Sequence, residues 1–400
     1  MNPMRPLAIS ALTAVSAMGR GGAATLAALV GRRSGLAPCD FAGVREGFVG
    51  AVGGLAEQPL PAGLGRFDCR NHRLAAMALA TDGFAAAVAG AAARYGAGRV
   101  AVVLGTSTSG ILAAEQAYRA RETPGGALPG WFDYAASQDI GALAVFVRAA
   151  LGLAGPGYVV STACTSSARS FVDGARLIAA GVVDAAVVGG ADSLCATTLR
   201  GFAALELVSP GPCRPLDAAR CGLSIGEAAG FALLERRDGR AAAAAAELLL
   251  LGHGASSDGH HMSAPHPAGA GAIAAMRGAL ARAGLAPAAV DYVNLHGTGT
   301  RANDAAEDGA VFAVFGAQTA CSSTKGWSGH TLGASGVLEA LVAALAIRAG
   351  LMPGCLGVER VDPAFRCRVL TENVRAPVRR VMSNAFGFGG SNCALLFGAP

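Results

Sequence analysis

Short apolar runs recur along this chain, and a longer alanine-rich stretch separates each run from the next. Four clear examples are Val100 to Leu104, Tyr158 to Val160, Ala185 to Val188 and Phe231 to Leu234. Runs of this length without polar alternation are typical of strands that are buried on both faces, whereas the alanine-rich stretches have the composition of helices. The alternation therefore predicts an α/β fold whose strands lie inside the molecule.

The size of the chain allows a large core. It has 400 residues, of which 52% are hydrophobic and 15% charged, so one large domain or two fused domains can form. The composition shifts between residues 235 and 254, and we place a boundary there that divides the chain into halves 1–245 and 246–400. Residues 158–181 and 321–350 each contain a strand, a turn rich in glycine and hydroxyl residues, and an alanine-rich helix, which indicates an old duplication.

Charge and cysteine usage narrow the functional class. The net charge of +5 suits an acidic partner, but no run of lysine and arginine with interleaved aromatics predicts nucleic-acid binding. The ten cysteines are scattered and form no CxxC pair, a pattern that favours reduced thiols over disulfides or a zinc site. We therefore expect the protein in a reducing compartment, the cytoplasm.

The N-terminus allows two interpretations. Arg5 precedes an apolar stretch over residues 7–15, and the small residues around its end resemble a signal-peptide cleavage site. We favour a first strand over Leu7 to Ala11, followed by a loop and a helix at residues 23–31, because so many unpaired cysteines suit export poorly. No other segment offers about 18 uninterrupted apolar residues, so no membrane span is predicted.

The stretch VVSTACTSSARS, residues 159–170, places Cys164 where a strand gives way to a helix. Unpaired backbone N–H groups and the positive end of the helix dipole stabilise a thiolate at such a corner, which makes the thiol nucleophilic. A small buried apolar residue is the alternative role for a cysteine at this position. Cys164 is therefore a candidate nucleophile.

Three more polar residues occupy similar corners. His296 follows an apolar strand in YVNLHGTGTRAND, where its imidazole can exchange a proton with a reacting group. Lys325 and His330 lie in SSTKGWSGHTLGASG, and a cation beside an imidazole favours the neutral ring at pH 7. Each residue alone has a structural explanation, such as a solvated lysine, but together they favour an active site.

Two other segments resemble binding motifs without matching them. SNAFGFGGSNCALLF contains Gly387, Gly389 and Gly390, but a strand rather than a helix follows, so this is not a dinucleotide-binding loop. Its backbone N–H groups can serve as oxyanion donors, or the turn can be a simple hairpin. The loop SSDGHHMSAPH carries Asp258 and three histidines without the spacing of a metal site, and no metal is predicted.

Taken together, these motifs resemble those of the β-ketoacyl-[acyl-carrier-protein] synthases of types I and II, members of the thiolase superfamily. The resemblance covers nearly the whole chain and rests on the segments VVLGTSTSGI, STACTSSA, VVGGADS, CRPLDAARCGLSIGEAAG, HGTGTRANDAAE, SSTKGWSGHTLGASGVLEA and NAFGFGGSN. It implies a thiolase-like fold in which two duplicated α/β halves form an αβαβα arrangement of layers. The nucleophile would belong to the first half, and the His/Lys/His set and a glycine-rich gating loop to the second.

The resemblance also implies roles for individual side chains. It makes Cys164 the acyl-accepting nucleophile, and it makes His296 and His330 the groups that bind the thioester carbonyl of the extender and stabilise its enolate. Lys325 would tune His330 electrostatically, and Glu339 would help to hold that lysine. A carboxylate on the surface of a helix is the alternative role for Glu339.

Further positions follow from the same resemblance. The backbone N–H groups of Cys164 and Phe388 would form an oxyanion hole, and Phe388 would gate the acyl pocket. Thr298 and Thr300 match positions that hydrogen-bond the phosphopantetheine arm of the substrate.

The implied reaction has two stages. An acyl chain moves from a carrier protein to the nucleophile, and malonyl carrier protein then loses CO₂ so that its carbanion attacks the acyl-enzyme. No metal or redox cofactor is required, because the substrates arrive on the phosphopantetheine of acyl carrier protein. The family implies a homodimer, or a heterodimer with a chain-length-factor-like paralogue.

Some residues depart from the common pattern. Arg169 stands five residues after Cys164, and Arg301 occupies a position where proline is common. Together with GTSTSGI and GFAALELVSP, these departures resemble synthases of aryl polyene pigment clusters, which implies a conjugated aryl acyl chain. Two alternatives remain: a thiolase, which needs a second catalytic cysteine such as Cys393, and a non-catalytic partner subunit, which usually lacks the nucleophile.

Overall fold

The computed structural model describes residues 3–237 and 248–400 of the chain. The strands within these residues are β1 (Leu7–Ser16), β2 (Gly19–Arg20), β3 (Ala37–Pro38), β4 (Phe48–Gly50), β5 (Val100–Gly105), β6 (Gly157–Val160), β7 (Ala185–Asp192), β8 (Ile225–Gly226), β9 (Ala228–Arg236), β10 (Leu248–Ser257), β11 (Tyr292–Asn294), β12 (Ala320–Ser322), β13 (Leu351–Met352), β14 (Arg368–Val369), β15 (Val374–Arg375), β16 (Arg380–Gly387) and β17 (Ser391–Gly398). The helices are α1 (Gly21–Val30), α2 (Arg70–Leu79), α3 (Phe84–Tyr95), α4 (Ile111–Arg119), α5 (Tyr134–Ser137), α6 (Ala142–Ala150), α7 (Ser166–Ala179), α8 (Ala196–Ala204), α9 (Ala270–Ala283), α10 (Arg301–Phe315), α11 (Lys325–Ser328) and α12 (Ser335–Ala349). The predicted boundary between residues 245 and 246 lies outside the described residues.

One twelve-stranded sheet runs through the molecule. Its order is β14-β12-β11-β16-β17-β10-β1-β9-β7-β5-β6, and β2 is attached to β1. The outer strands pair in parallel, whereas the strands near the middle pair antiparallel. The four apolar runs that predicted buried strands lie within β5, β6, β7 and β9, so the α/β fold is confirmed. The predicted burial is wrong for β6, because this strand lies at the edge of the sheet and Tyr158 is exposed.

The two halves of the sheet repeat one strand order. From the middle outwards, the first half runs β1, β9, β7, β5, β6, and the second runs β10, β17, β16, β11, β12, with the short β14 beyond. Without the short strands, each half has five main strands, which can be numbered one to five along the chain. From the middle outwards, both halves then have the order one, five, four, two, three. This repetition supports the duplication inferred from the sequence.

Helices cover and separate the two half-sheets. α7 and α12 each follow the third main strand of their half, and they pack against each other between the sheets. α2, α3 and α6 cover the outer face of the first half-sheet, and α9 and α10 cover the second. The predicted αβαβα layering and thiolase-like fold are therefore present.

The apolar N-terminal stretch is a central strand of this sheet. β1 is almost wholly buried and pairs with both β9 and β10. The pairs Leu7 with Leu250, Ala8 with Leu249 and Ile9 with Leu248 join the two half-sheets. The strand interpretation of this segment is confirmed.

The segment Leu332–Ala349, which contains α12, is long and apolar enough to cross a membrane. Its mean hydropathy is 1.6, and 83% of it is buried inside the molecule. α2 and α3 meet the same criterion only as a pair, and that pair is bent by 72°. The burial of Leu332–Ala349 between the two half-sheets identifies it as the core helix of the central layer.

Candidate active site

Cys164 lies between β6 and α7, at the carboxyl end of a parallel strand, as the sequence predicted. Ala163, the residue before it, has a φ of 51°, a conformation that a residue with a side chain adopts only when its surroundings impose it. Ser166 holds this turn, because its Oγ accepts from the Thr162 N–H at 3.0 Å and donates to the Ala163 carbonyl at 2.5 Å. The turn presents the Cys164 thiol to the second half of the molecule.

His330 meets the thiol from that second half. Its Nε2 lies 2.9 Å from Cys164 Sγ. This approach depends on the crossing of α7 and α12, where a Cβ on Gly336 would stand 2.5 Å from the backbone nitrogen of Ala168. Because only glycine allows the two helix N-termini to come so close, the central layer itself brings the thiol and the imidazole together.

The other ring nitrogen of His330 contacts a buried serine. Nδ1 lies 3.0 Å from Ser335 Oγ, and both side chains are about 1% exposed. A hydroxyl both donates and accepts, so Ser335 can pair with either tautomer of the ring. The sequence analysis missed Ser335, although a hydroxyl residue at the first position of the helix after His330 was an available signal.

His296 completes the group from the end of β11. Its ring lies edge-on to the His330 ring, with centroids 5.1 Å apart and planes at 84°. Glu307 of α10 fixes this turn, since it accepts the N–H groups of His296 and Gly297 at 2.8 and 2.7 Å. Burial raises the pKa of Glu307 to about 7 against the lowering effect of these donors. Glu307 was also missed, because an acid within a helix sequence looks like a surface residue.

Lys325 and Glu339 form a buried ion pair beside the histidines, so the predicted contact between them is present. Burial and the Lys325 charge hold the pKa values of His296 and His330 well below the usual range. Both rings are therefore neutral at pH 7 and able to donate or accept a hydrogen bond. Burial raises the pKa of Glu339 to about 7, with Lys325 opposing the rise.

The Cys164 thiol is poorly ionised by itself. Burial raises its pKa to about 12, while Lys325 and the backbone N–H groups of Phe388 and Cys164 act in the opposite direction. Such a thiol stays protonated at pH 7 and needs a base to become nucleophilic, and His330 Nε2 is in place for this. The same two amides are the predicted donors of an oxyanion hole, a role that stays a prediction.

A cavity of about 430 Å³ opens onto Cys164 and both histidines. Thr298 and Thr300 line it, with their hydroxyl oxygens 2.9 Å apart. Phe388 lies in the turn between β16 and β17 and stacks on Phe202 of α8 with ring centroids 5.5 Å apart. The glycine-rich segment is thus a hairpin turn that also lines this cavity, and its role as an oxyanion donor stays a prediction.

The ligand atoms of Cys164, His296 and His330 lie within 4.8 Å of one another, and within residues 3–237 and 248–400 this is the one such group of three. The nearby Lys325 charge opposes a cation there. In the loop after β10, Asp258 instead accepts from the His266 N–H and from Asn392. The Asp258 carboxylate therefore holds the loop after β10 through hydrogen bonds to the protein itself.

All ten cysteines lie in the described residues, and each is a free thiol. Cys393 is fully buried in β17, and burial raises its pKa to about 12. It is not among the residues that line the cavity at Cys164. The position therefore does not supply the second catalytic thiol that a thiolase requires.

A second cavity, of about 630 Å³, lies at the far end of α7. Its rim includes Arg5, Arg176 and Arg282. The last two belong to the final turns of α7 and α9, where a cation interacts favourably with the helix dipole. No cysteine of the described residues lines it, whereas Cys164 opens onto the smaller cavity.

A thiol and two neutral imidazoles, held between two duplicated halves, define a thiolase-fold protein with a Cys/His/His site. The chain belongs to the β-ketoacyl synthase family. Residues 67–239 match the family's N-terminal domain, and residues 248–359 match its C-terminal domain.

Individual relatives agree with this assignment. Over 264 residues the chain is 41% identical to a mitochondrial 3-oxoacyl-[acyl-carrier-protein] synthase of Arabidopsis thaliana, an alignment that covers 62% of this chain and 57% of that protein. It is 38% identical over 315 residues to nodulation protein E of Rhizobium meliloti, covering 77% and 76% of the two chains. A solved ketosynthase (ApeO) in complex with its chain length factor (ApeC), from Xenorhabdus doucetiae, superposes with a TM-score of 0.90 at 38% identity, over 99% and 98% of the chains.

Proposed function

We propose that this chain catalyses a decarboxylative Claisen condensation between an acyl group on Cys164 and the malonyl group of an acyl carrier protein. The observation that carries the proposal is the 2.9 Å contact between Cys164 Sγ and His330 Nε2, with His296 in the same group. A thiol is both a nucleophile and a leaving group, which is what an acyl-enzyme intermediate in a condensation needs.

The first half-reaction loads the acyl chain. His330 Nε2 takes the proton of Cys164, and the thiolate attacks the carbonyl carbon of the acyl thioester. The backbone N–H groups of Cys164 and Phe388 stabilise the oxyanion. The tetrahedral intermediate collapses with loss of the phosphopantetheine thiolate, which receives the proton from His330.

The second half-reaction forms the carbon–carbon bond. Both neutral imidazoles donate to the thioester oxygen of the malonyl group, so that loss of CO₂ leaves a stabilised enolate. Its carbon attacks the acyl group on Cys164, and the thiolate leaves to give a β-ketoacyl thioester that is two carbons longer. For His330 this step requires Nε2–H, whereas the first half-reaction leaves the ring proton on Nδ1. Between the two steps the ring therefore loses the Nδ1 proton to solvent and gains one at Nε2, and the Ser335 hydroxyl pairs with either tautomer.

The cavity entrance fits a phosphopantetheine thioester. Thr298 and Thr300 supply hydroxyl groups along its wall, and the exposed Arg301 stands beside them at the start of α10. The positive charge of the chain favours an acidic carrier protein. The substrate brings its own activated thioester, so the proposed reaction needs no further cofactor.

We further propose that the acyl chain is an aryl polyenoyl group and that the working unit is a dimer, either of this chain or with a chain-length-factor-like paralogue. The similarity to a ketosynthase solved with its chain length factor supports this. β6 is an edge strand within the described residues. The neighbouring segments expose Tyr134 by 59% and Val145 by 49%, as an interface would require.

Ten free thiols support a cytoplasmic location.

The test is the intact mass of the purified protein after incubation with an acyl carrier protein loaded with an unsaturated acyl chain. We expect an acyl adduct that Cys164→Ala abolishes, that Cys393→Ala retains, and that malonyl carrier protein discharges. An adduct that forms only after a paralogue is added indicates an obligate heterodimer. No adduct with or without that partner would refute the catalytic role and leave the scaffold alternative, whereas loss of activity in Cys393→Ala would favour a thiolase.

A further inference from the structure

The carboxylate of Asp192, at the end of β7, is buried among hydrogen-bond donors. Oδ1 accepts from the Thr106 hydroxyl at 2.6 Å, from the Ser107 N–H at 2.8 Å, and from the N–H and hydroxyl of Thr108, each at 2.9 Å. Oδ2 accepts from the Gly333 N–H at 2.6 Å. Five donors therefore converge on one side chain that the reaction as described above does not use.

These donors belong to the two segments that carry the reacting pair. Gly333 stands three residues after His330, and Leu332 between them has a φ of 51°. On the other side, the Ser107 hydroxyl donates to the Ala163 carbonyl at 3.1 Å, and Ala163 directly precedes Cys164. A path of direct hydrogen bonds thus runs from the backbone beside the thiol, through Asp192, to the backbone beside the imidazole.

The packing around Asp192 allows no other side chain at the junction. A Cβ on Gly333 would stand 2.6 Å from Ser107 Oγ and 2.7 Å from Asp192 Oδ2. Ala163 and Leu332 both hold left-handed conformations that cost free energy and persist only when their surroundings impose them. The bonds to Asp192 and Ser107 help to impose them, together with the bond from Ser166 to the Ala163 carbonyl.

We propose that Asp192 is a positioning residue that sets the distance between the Cys164 thiol and the His330 imidazole. Its carboxylate accepts from four donors at Oδ1 and from one at Oδ2, whereas an amide has only one acceptor oxygen. In Asp192→Asn, an NH₂ group must face either the Gly333 N–H or the Thr106–Thr108 turn. One of the two loops is then released, and the thiol loses its base.

A purely electrostatic role predicts the opposite result. The negative charge of Asp192 raises the pKa of Cys164, so removal of the charge alone would make the thiol more acidic and faster to alkylate. Loss of positioning makes alkylation slower, because a thiol with a pKa near 12 depends on His330. The direction of the change therefore separates the two roles.

The experiment follows the rate at which iodoacetamide alkylates Cys164, measured by mass spectrometry of the peptide that carries it, from pH 6 to 9. We expect Asp192→Asn to slow the reaction at pH 7 by at least about fivefold, the effect of one buried unpaired donor, and Asp192→Glu to restore part of the rate. The matched control is Asp308→Asn, because Asp308 is a buried carboxylate that accepts the N–H groups of Arg366 and Cys367 away from the site. Its rate should equal that of the wild type.

A second variant covers the case in which Asp192→Asn does not fold. Ser107→Ala removes only the hydrogen bond to the Ala163 carbonyl, and we expect the same direction with a smaller effect. Alkylation at or above the wild-type rate in either folded variant would overturn the proposal. The effect on catalysis rests on the proposed function. In the condensation assay we expect the Asp192 and Ser107 variants to lower kcat while KM for the carrier protein stays constant. Alkylation needs no substrate, so the proposal can fail or hold independently of that function.

Discussion

The hydrogen bond between Ser335 and His330 gives a sharp test of the proposed chemistry. In Ser335→Ala, Nδ1 of a ring that is about 1% exposed loses a partner 3.0 Å away. A buried donor left without a partner costs about 1–3 kcal/mol. If the transition state carries the full cost, the rate falls by about 5- to 150-fold.

The assay separates the two half-reactions. Acyl transfer to Cys164 is followed by rapid mixing and intact mass, and malonyl decarboxylation is followed by release of CO₂. Because the hydroxyl serves both tautomers of His330, we expect Ser335→Ala to slow both steps, with the overall protein fold unchanged by circular dichroism.

The matched control is Ser170→Ala in α7. Ser170 is also a buried serine, but its hydroxyl bonds the Ser167 carbonyl at 2.6 Å and the N–H and carbonyl of Gly189 at 2.9 and 3.2 Å, and it contacts neither Cys164 nor a histidine. This variant should lose stability without losing the chemical steps. If Ser335→Ala kept both rates within twofold of the wild type, the assigned role of the Ser335 hydroxyl would be wrong.

Three further outcomes follow from the structure. Lys325→Met removes the cation that lowers the pKa of Cys164, so the rate of Cys164 alkylation at pH 9 should fall by about tenfold or more, the effect of one pKa unit on the thiolate fraction; an unchanged rate would contradict this electrostatic role. Folding raises the pKa of Glu307 from 4.5 to about 7, so its contribution to stability is complete below about pH 4.5 and is lost as the pH rises through 7. In urea titrations, Glu307→Gln should therefore make the free energy of unfolding less dependent on pH between these two values. Gly336→Ala should lower stability by about 1–3 kcal/mol through overpacking, whereas Gly201→Ala in α8, whose Cβ meets nothing within 4 Å in the described residues, should not lower Tm; equal Tm values for the two variants would refute the steric argument.

The sequence predicted the side chains that carry local signals. Cys164, His296 and Lys325 each follow an apolar strand and precede a turn rich in small residues, and the structure places each of them at the carboxyl end of such a strand. This works because the ends of strands in an α/β sheet are where ligands bind. His330 was found from the same motif as Lys325, and the family resemblance then supplied Glu339 and Phe388 as members of the same site.

Residues that act across the fold were not predicted. Asp192 and Gly333 are 141 positions apart, and their contact depends on the order in which two half-sheets assemble. Glu307 and Ser335 lie within helices, where an acid or a hydroxyl usually faces water. Their burial becomes visible only when the partners across the interface are known, since periodicity within one segment carries no information about them.

The three residue pairs between β1 and β10 limit how this protein can move. They make the two half-sheets one unbroken ladder of backbone hydrogen bonds, so a hinge opening between the halves would have to break that ladder. Admission of the proposed acyl substrate would then depend on smaller movements, such as rotation of the Phe388 ring and shifts of the turn that carries it. Substrate exchange should accordingly show the fast, low-amplitude character of side chains and loops rather than the slower kinetics of domain closure.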